Sequence, residues 1–410
     1  MNKKLSVGVA ISLIAIACTV TFVVTWTVSF NMYNDIIRGA VQRDEISTKL
    51  QEIDSFVRNN FLGEIDSDTV AFGIFSGYIS GVGDKNTVYM SVQEYAKHSN
   101  EARGQLITSG IQAEKEESGY IIVTGIYPDS YAESVGVAKG DIITDIDSIN
   151  VLEVGAEVAI RFLEGEENTK LNVMVLREGE VLEFSLIRQA IDIVSVESDV
   201  VNNIGFIKIT AFNELTSNQF ESALQSFVEA NVRALLIDVR HNSSDIYTPV
   251  PDMVNNLIPA ETVAFSVHRG GVQKDFIVTN ESKIFPEEME NIPIIVLADS
   301  ATSGAGELLA AVLKSHAGAQ IVGQPTAGNV FLQQTQPLKD GSAVRVTVAR
   351  IVLANGFDYS ESGLSPDNHV EWTAEDYAIG SLQGDIDDLQ ILKAFEIIDT
   401  ITTNVQGEGE

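Results

Sequence analysis

Residues 294–316, IIVLADSATSGAGELLAAVLKSH, decide the fold of the core. The first five, Ile294–Ala298, form a short apolar run of the kind found in buried parallel strands. After a short polar turn, helical spacing predicts a helix from about Ala305 to His316. A strand that leads into a helix is the repeating unit of α/β proteins, so this stretch predicts an α/β core.

The segments on either side repeat this pattern. Ile204–Ile209 and Ala234–Val239 are predicted strands, and apolar residues at helical spacing predict a helix between them. Thr216 and Ser217 are candidates for its N-cap. The later predicted elements are a strand at Gln320–Val322, a hairpin turn at Asp340–Gly341 and a strand at Ala343–Val352.

Between about residues 104 and 190 the pattern changes to short strands joined by glycine-rich turns. Tyr120–Thr124 and Leu171–Leu176 are rich in β-branched residues, as strands are. Between them, residues 126–143, IYPDSYAESVGVAKGDII, predict a short helix and then a Gly-Asp turn into an apolar strand. This region is therefore predicted to be a small domain of its own.

The N-terminus carries a long uncharged segment. Residues 5–30 contain no charged side chain and follow Lys3 and Lys4. A helix needs about 20 apolar residues to cross a bilayer, and lysines on the short leading side predict that this end faces inward. We expect a single-pass cell-membrane anchor over residues 1–30 with the bulk of the chain outside the cytoplasm. A cleaved signal peptide is the alternative.

Residues 31–103 are predicted to be a helical region. Between 31 and 60, apolar residues at helical spacing alternate with charges, which is typical of a helix that packs on the body of the protein, dimerises or acts as a spacer. Residues 68–98 continue the helical pattern, with a turn cluster at Gly83–Asn86.

Charge and composition exclude several classes of function. The formal net charge is -32, which opposes binding to nucleic-acid phosphates. The single cysteine, Cys18, lies in the apolar segment, so disulfides and cysteine-based metal sites are excluded. The five histidines show no His-x-x-x-His spacing, and we expect neither a metal nor a cofactor. They are His98, His241, His268, His316 and His369.

Several motifs, in order, resemble the C-terminal processing (tail-specific) serine peptidase family. Residues 83–90, GDKNTVYM, resemble the segment that precedes its PDZ domain, and residues 128–143 resemble the PDZ run itself. Residues 236–242, LIDVRHN, resemble the core Leu-Asp-Leu-Arg-x-Asn strand. The late elements are matched by DGSA at 340–343 and GLSPD at 363–367.

The resemblance implies an α+β / α/β architecture. An N-terminal transmembrane helix (1–30) and a helical region (31–103) would be followed by a PDZ domain (104–190). That domain is inserted before a crotonase-like α/β peptidase core (191–372), and a C-terminal helical segment and tail (373–410) would follow.

PDZ domains of this kind bind the C-terminus of a polypeptide as an added strand, and backbone amides hold its carboxylate. The resemblance places the receiving loop at Ser109, Gly110, Ile111 and Gln112. Gly110 also has a purely structural interpretation as a turn residue. Gln112 stands where the family has a second glycine.

The catalytic positions depart from the family. Its members use a serine nucleophile and a lysine base whose pKa is lowered by burial, while a glutamine orients the lysine. Ungapped matching puts Gly304 at the serine position and Asn329 at the lysine position, and only Gln333 keeps its family identity. Ser303, one residue early, is the fallback nucleophile.

The loop expected to hold the oxyanion is also altered. The family has Asn-Pro-Gly-Gly where this chain has Asn242 followed by Ser243, Ser244 and Asp245. An acidic side chain there opposes the negative charge that must be stabilised. The leading hypothesis is therefore a pseudopeptidase that binds polypeptide C-termini or partner proteins, as a possible homodimer or heteromer. The alternatives are an active serine endopeptidase with a displaced nucleophile and a regulatory partner of an active related peptidase.

Overall fold

The computed structural model describes residues 7–279, 292–360, 362–371 and 388–407. In chain order the described helices are α1 (Val7–Asn60), α2 (Ser67–Ser80), α3 (Val92–Ala102), α4 (Tyr131–Ser134), α5 (Val151–Val154), α6 (Ala156–Arg161), α7 (Thr216–Ala230), α8 (Val250–Val254), α9 (Ala305–His316) and α10 (Leu389–Gly407). A 3-10 turn covers Arg269–Gly271.

The strands lie in four sheets. In chain order they are β1 (Val88–Met90), β2 (Gln105–Thr108), β3 (Ile111–Lys115), β4 (Ile121–Ile126), β5 (Ile142–Ile146), β6 (Ile149–Asn150), β7 (Lys170–Arg177), β8 (Glu180–Ile187), β9 (Gln189–Asp192), β10 (Val196–Val201), β11 (Ile204–Ile209), β12 (Ala234–Asp238), β13 (Glu261–His268), β14 (Gln273–Val278), β15 (Ile294–Ala298), β16 (Gln320–Gly323), β17 (Phe331–Pro337), β18 (Ala343–Leu353) and β19 (Asn368–His369). The chain divides into two compact units, residues 1–75 and 76–410.

The first unit is dominated by α1. Ile46, Ile53 and Phe56 on this helix are exposed, which leaves an apolar stripe open to solvent. Within the described part of the chain, no helix is both long and apolar enough to cross a membrane. The predicted anchor falls partly on residues 1–6 and on the side chains of 7 and 9–15, which lie outside the described residues.

The core sheet has the strand order β10-β11-β12-β15-β16-β19. All neighbours from β11 onward are parallel, and β10 is antiparallel to β11. Leu235 and Ile237 pack in one apolar cluster with residues of α7 and α9, whereas Leu236 packs in another with residues of α10. Both faces of the sheet are therefore covered, which confirms the predicted α/β core and explains its continuous apolar strands.

The carboxyl ends of β12 and β15 form the edge that matters for function. These strands are parallel neighbours, with Asp238 in register with Leu297. The loops that follow them, 239–247 and 299–304, must therefore meet at one edge of the sheet. In open α/β sheets this is the edge where ligands and catalytic groups gather.

A second sheet, ordered β1-β18-β13-β14 with β17 paired to β18, lies in the same unit. The predicted hairpin is confirmed, since Leu338 N–H donates to Ser342 O at 2.8 Å across the turn between β17 and β18. The helix predicted through residue 98 was wrong between α2 and α3. There Thr347 Oγ1 donates to Asp84 Oδ2 at 2.6 Å, and Val88–Met90 pairs with β18.

The domain between strands β2 and β9 has its own sheet, ordered β3-β4-β5-β7-β8, and its own apolar core. β2 and β9 pair with each other and carry the chain into and out of this domain. The predicted strands at 120–124 and 171–176 are found as β4 and β7. The predicted N-cap of α7 shifts, because Thr216 is already helical and its hydroxyl accepts the N–H of Asn213 at 2.9 Å.

Candidate functional site

Gly304 lies at the junction between β15 and α9, at the carboxyl edge of the core sheet. Its backbone is left-handed in φ, at 65°. A Cβ built on Gly304 would clash with the carbonyl oxygen of Ser244 and would lie 3.4 Å from the hydroxyl of Tyr247. The position that carries the nucleophile in the family is therefore closed to any side chain unless the backbone moves.

The N–H groups at the start of α9 are already engaged. Ser303 N–H donates to Asn242 O at 2.8 Å, and Ala305 N–H donates to Ser244 O at 2.9 Å. Gly304 N–H donates to the Glu307 carboxylate at 3.0 Å. An oxyanion needs free donors of this kind, and these three N–H groups already have acceptors within the protein.

Asp245, the acidic residue of that loop, is held by a cation. Its carboxylate pairs with Arg345 of β18 at 2.5 Å, and both side chains are partly buried. Ser244 is fixed through its hydroxyl, which donates to Phe212 O at 3.1 Å. Ser243 is exposed. These contacts hold the loop against β18 and the segment around Phe212. The sequence did not identify Arg345 as the partner of Asp245.

Tyr247 fills the space between Gly304 and Asn329. It is 1% exposed, and its hydroxyl donates to the carbonyl oxygens of Asn329 at 3.3 Å and Phe331 at 3.1 Å. Burial, with the carboxylates of Glu307 and Asp245 nearby, raises the pKa of Tyr247, so the hydroxyl keeps its proton and acts as a donor. Tyr247 therefore cannot serve as a base at neutral pH.

Asn329 occupies the lysine position without replacing its chemistry. Its N–H donates to Glu307 at 2.8 Å, and its side-chain oxygen accepts from Phe331 N–H at 3.4 Å. A carboxamide is neutral and does not take up a proton in this pH range. The site therefore holds no general base where the family has one.

Glu307 joins two segments of the site by hydrogen bonds. It is fully buried, and it accepts bonds from the N–H groups of Gly304, Gly328 and Asn329 and from the Thr326 hydroxyl. Burial raises the pKa of Glu307, although the four hydrogen bonds oppose that effect. Its negative charge in the first turn of α9 suits the helix dipole. Its hydrogen bonds also tie the start of α9 to the 326–329 segment.

Gln333 retains the family residue but has lost its partner. It lies on β17 opposite Thr347 of β18. Both polar atoms of its amide are buried without a hydrogen bond. Such a group is costly to keep in a folded protein. In the family this glutamine orients the lysine of the Ser-Lys dyad, and here both dyad positions are replaced, by Gly304 and Asn329.

A histidine–carboxylate pair lies at the same edge of the core sheet as Ser303, the fallback nucleophile. His241 follows β12 and Asp299 follows β15, and His241 Nδ1 lies 3.0 Å from Asp299 Oδ2. Asp299 also accepts from the Thr302 N–H and hydroxyl, which fixes the turn that leads to Ser303. Sequence spacing gave no sign that Asp299 would orient His241.

Three further lysine or histidine side chains of the same unit have polar partners of their own. Lys314 pairs with Asp367 at 2.8 Å and His316 with Glu261 at 2.9 Å, both toward the far end of α9. His268 Nε2 lies 3.2 Å from the Ser266 hydroxyl on β13. Lys339 is exposed in its hairpin turn.

The predicted peptide-receiving loop runs into β3, an edge strand of its sheet. Ser109 is buried and its N–H donates to Leu163 O at 2.8 Å, whereas its hydroxyl lacks a hydrogen-bond partner. Gly110 N–H lies 3.5 Å from Thr108 Oγ1, a long contact that another acceptor can replace.

Gly110 has a structural role as well. Its φ is 93°, and a Cβ there would collide with Ser130. Gln112, where the family has glycine, pairs with Gly125 across the sheet and its side chain occupies the space that Gly125 leaves. Ile111 is buried at the start of β3.

Among the described residues, no group of three or more His, Cys, Asp or Glu side chains is arranged to hold a metal ion.

Comparisons with known proteins place the two domains. Residues 203–370 match the model of peptidase family S41, and residues 122–177 match a PDZ domain. The chain is 27% identical over 345 residues to the carboxy-terminal processing protease CtpA of Bacillus subtilis, covering 83% of this chain and 72% of that protein. It is 21% identical over 380 residues to a probable CtpA-like serine protease of Staphylococcus haemolyticus, covering 90% of this chain and 74% of that protein.

Among solved structures, the photosystem II D1 C-terminal processing protease matches with a TM-score of 0.46 and 21% identity. That match covers 78% of this chain and 86% of the other.

Proposed function

Starting from the premise that this chain is a C-terminal-processing-protease-like protein of peptidase family S41 with a PDZ domain, we propose that it captures polypeptides without cutting them. The observation that carries this proposal is the position of the Ser244 carbonyl oxygen, which lies where a Cβ on Gly304 would be and accepts the Ala305 N–H at 2.9 Å. It closes the nucleophile position and consumes an N–H that an oxyanion would need. Asn329 leaves the same site without a base.

The PDZ domain supplies the binding activity. β3 is an edge strand, so its outer backbone groups are available to an added strand. The groove beside it has an apolar lining that includes Ile111, Ile160 and Leu163. A polypeptide end with an apolar last residue is the ligand that this geometry favours.

A combined binding and cleavage assay tests the proposal. The full chain, purified in detergent, is incubated with an unfolded protein and with labelled peptides that end in apolar residues. We expect binding of free C-termini, weaker binding of the same peptides amidated, and no product by mass spectrometry. Cleavage that is lost in Ser303→Ala would contradict the proposal.

A second candidate is an active serine endopeptidase with Ser303 as the nucleophile. The observation in its favour is the His241–Asp299 pair, because a carboxylate that orients a histidine is the arrangement that activates serine hydroxyls. The engaged N–H groups of Ser303, Gly304 and Ala305 oppose it. A fluorophosphonate probe that labels folded wild-type protein, but not Ser303→Ala or His241→Ala, would establish this candidate.

The third candidate is a regulatory partner of an active related peptidase. It is supported by the exposed apolar residues Ile46, Ile53 and Phe56 of α1, which a second helix would cover. Homodimerisation through the same helix is its simplest variant. Crosslinking at Ile53→Cys in membranes, followed by mass spectrometry, distinguishes a second copy from a related peptidase, and the absence of any crosslink would oppose both.

The proposal also places the chain on the cell membrane, with its bulk outside the cytoplasm. Its support is the uncharged stretch 5–30 behind Lys3 and Lys4. Alkaline carbonate should leave the full chain in the membrane pellet, and deletion of residues 1–30 should release it. A full chain extracted by carbonate would contradict this placement.

A further inference from the structure

The groove of the PDZ domain carries a charge pattern that bears on its choice of ligand. It is a cavity of about 370 Å³ between β3 and the end of α6. Its apolar lining includes Ile111, Ile160 and Leu163, while Glu114 and Glu164 bring two acidic side chains to it. Of the described residues that line it, none is lysine, arginine or histidine.

Both glutamates are exposed and so can reach a ligand. Lys115, the next residue after Glu114, does not line the groove. Arg161 lines a different cavity, against α3. The negative charge of the groove is therefore not offset by a base within it.

Strand geometry sets where a ligand would meet these charges. A polypeptide that adds antiparallel to β3 places its last residue near Ile111 and runs back along the strand. Glu114 lies three positions beyond Ile111, which is about 10 Å in a strand. It therefore faces ligand residues about two to four positions before the end. Glu164 follows Leu163, at the end of the groove that receives the last side chain.

We propose that this groove selects polypeptide ends that carry lysine or arginine two to four residues before an apolar last residue, and that it rejects ends with acidic side chains there. The inference rests on the proposed capture function and names its ligand class. The whole chain carries a net charge of -32, which reinforces attraction to a cationic partner. Because the glutamates are exposed, the preference is modest, at about threefold per charge change, and weakens in high salt.

The test uses the full chain in detergent and three fluorescent peptides that share an apolar last residue. They differ only in having lysine, alanine or glutamate at the third position from the end. Anisotropy should rank their affinities in that order, with a spread that narrows as salt is raised. Glu114→Gln should remove most of the spread while still binding the alanine peptide as the wild type does.

Glu117→Gln is the matched control, since Glu117 is exposed on the same hairpin and does not line the groove. It should keep the full spread. Glu164→Gln is a second variant, so the conclusion does not depend on the folding of one protein. In the same assay it should narrow the spread among the three peptides, by less than Glu114→Gln does.

Equal affinities for the three peptides would overturn the inference and leave the capture function standing, as would a spread that survives in both glutamine variants of the groove. Failure of the wild type to bind any of the peptides would overturn the capture function itself.

Discussion

The backbone N–H of Ala305 donates to the carbonyl oxygen of Ser244 at 2.9 Å. This bond joins the first residue of α9 to the loop after β12. A Cβ on Gly304 would overlap the same carbonyl oxygen, so the backbone leaves no room for a side chain at the position where the family has its serine. We therefore expect that replacing side chains alone does not restore a catalytic site.

Restoring the family dyad should therefore fail. We expect Gly304→Ser combined with Asn329→Lys to show no peptide cleavage and no fluorophosphonate labelling. The added Cβ meets a carbonyl and occupies a left-handed φ, which should lower stability by roughly 3 kcal/mol. Thermal unfolding and probe labelling measure the two effects.

Gly318→Ser is the control, because Gly318 has the same φ of 65° but open space around its Cβ position. It should lose only about 1 kcal/mol, the cost of the backbone conformation. Labelling of the double variant would mean that the 243–245 loop moves aside more readily than its contacts indicate.

The Tyr247 hydroxyl should contribute to stability and not to chemistry. Tyr247→Phe leaves the carbonyls of Asn329 and Phe331 without this donor, and we expect a loss of about 1–2 kcal/mol in urea unfolding. Tyr78→Phe, at a tyrosine that is 69% exposed, should change stability by a few tenths at most. Equal effects of the two substitutions would contradict the proposed packing role.

Glu307 should make stability depend on pH. Burial raises its pKa in the folded protein, so the folded state holds the proton more tightly than the unfolded state. The stabilisation of the folded state by this bound proton is fully present below the ordinary glutamate pKa. It declines as pH rises through the raised pKa of the folded state. Wild type should therefore lose stability relative to Glu307→Gln as pH is raised from about 4 toward neutrality.

Melting temperatures across this range, measured in one buffer series, test that sign. Glu101→Gln, at an exposed glutamate of α3, is the control and should run parallel to wild type. If the difference in melting temperature between wild type and Glu307→Gln does not vary with pH, protonation of Glu307 does not contribute to stability in this way.

Peptide capture should depend on the backbone at Gly110. Gly110→Ala brings a Cβ into Ser130 at a φ of 93°, and we expect at least a tenfold loss of peptide affinity together with roughly 2 kcal/mol of stability. Gly136→Ala is matched in φ, at 86°, but has open space. Similar peptide affinities for the two variants would mean that the Ser109–Gln112 loop does not take part in peptide binding.

Much of the fold was predictable from local pattern. Largely apolar runs such as Ala234–Val239, which Asp238 alone interrupts, and Ile294–Ala298 predicted buried parallel strands, because only strands covered on both faces tolerate them. Asp340–Gly341 predicted its hairpin, since this pair favours the backbone conformation of a tight turn. Val88–Met90 was missed because its strand is defined by pairing with β18, more than 250 residues away in sequence.

For the site, the sequence by itself determined that the serine and lysine positions hold Gly304 and Asn329, since residue identity needs no coordinates. Only the tertiary structure decided that the site is closed. Ser244 and Tyr247 lie in the loop after β12, whereas Arg345 lies on β18, and the sequence around each of them does not indicate its contact with the others. The same holds for Asp299 beside His241. A parallel sheet gathers the carboxyl ends of its strands at one edge, and distances across that edge are not encoded in sequence spacing.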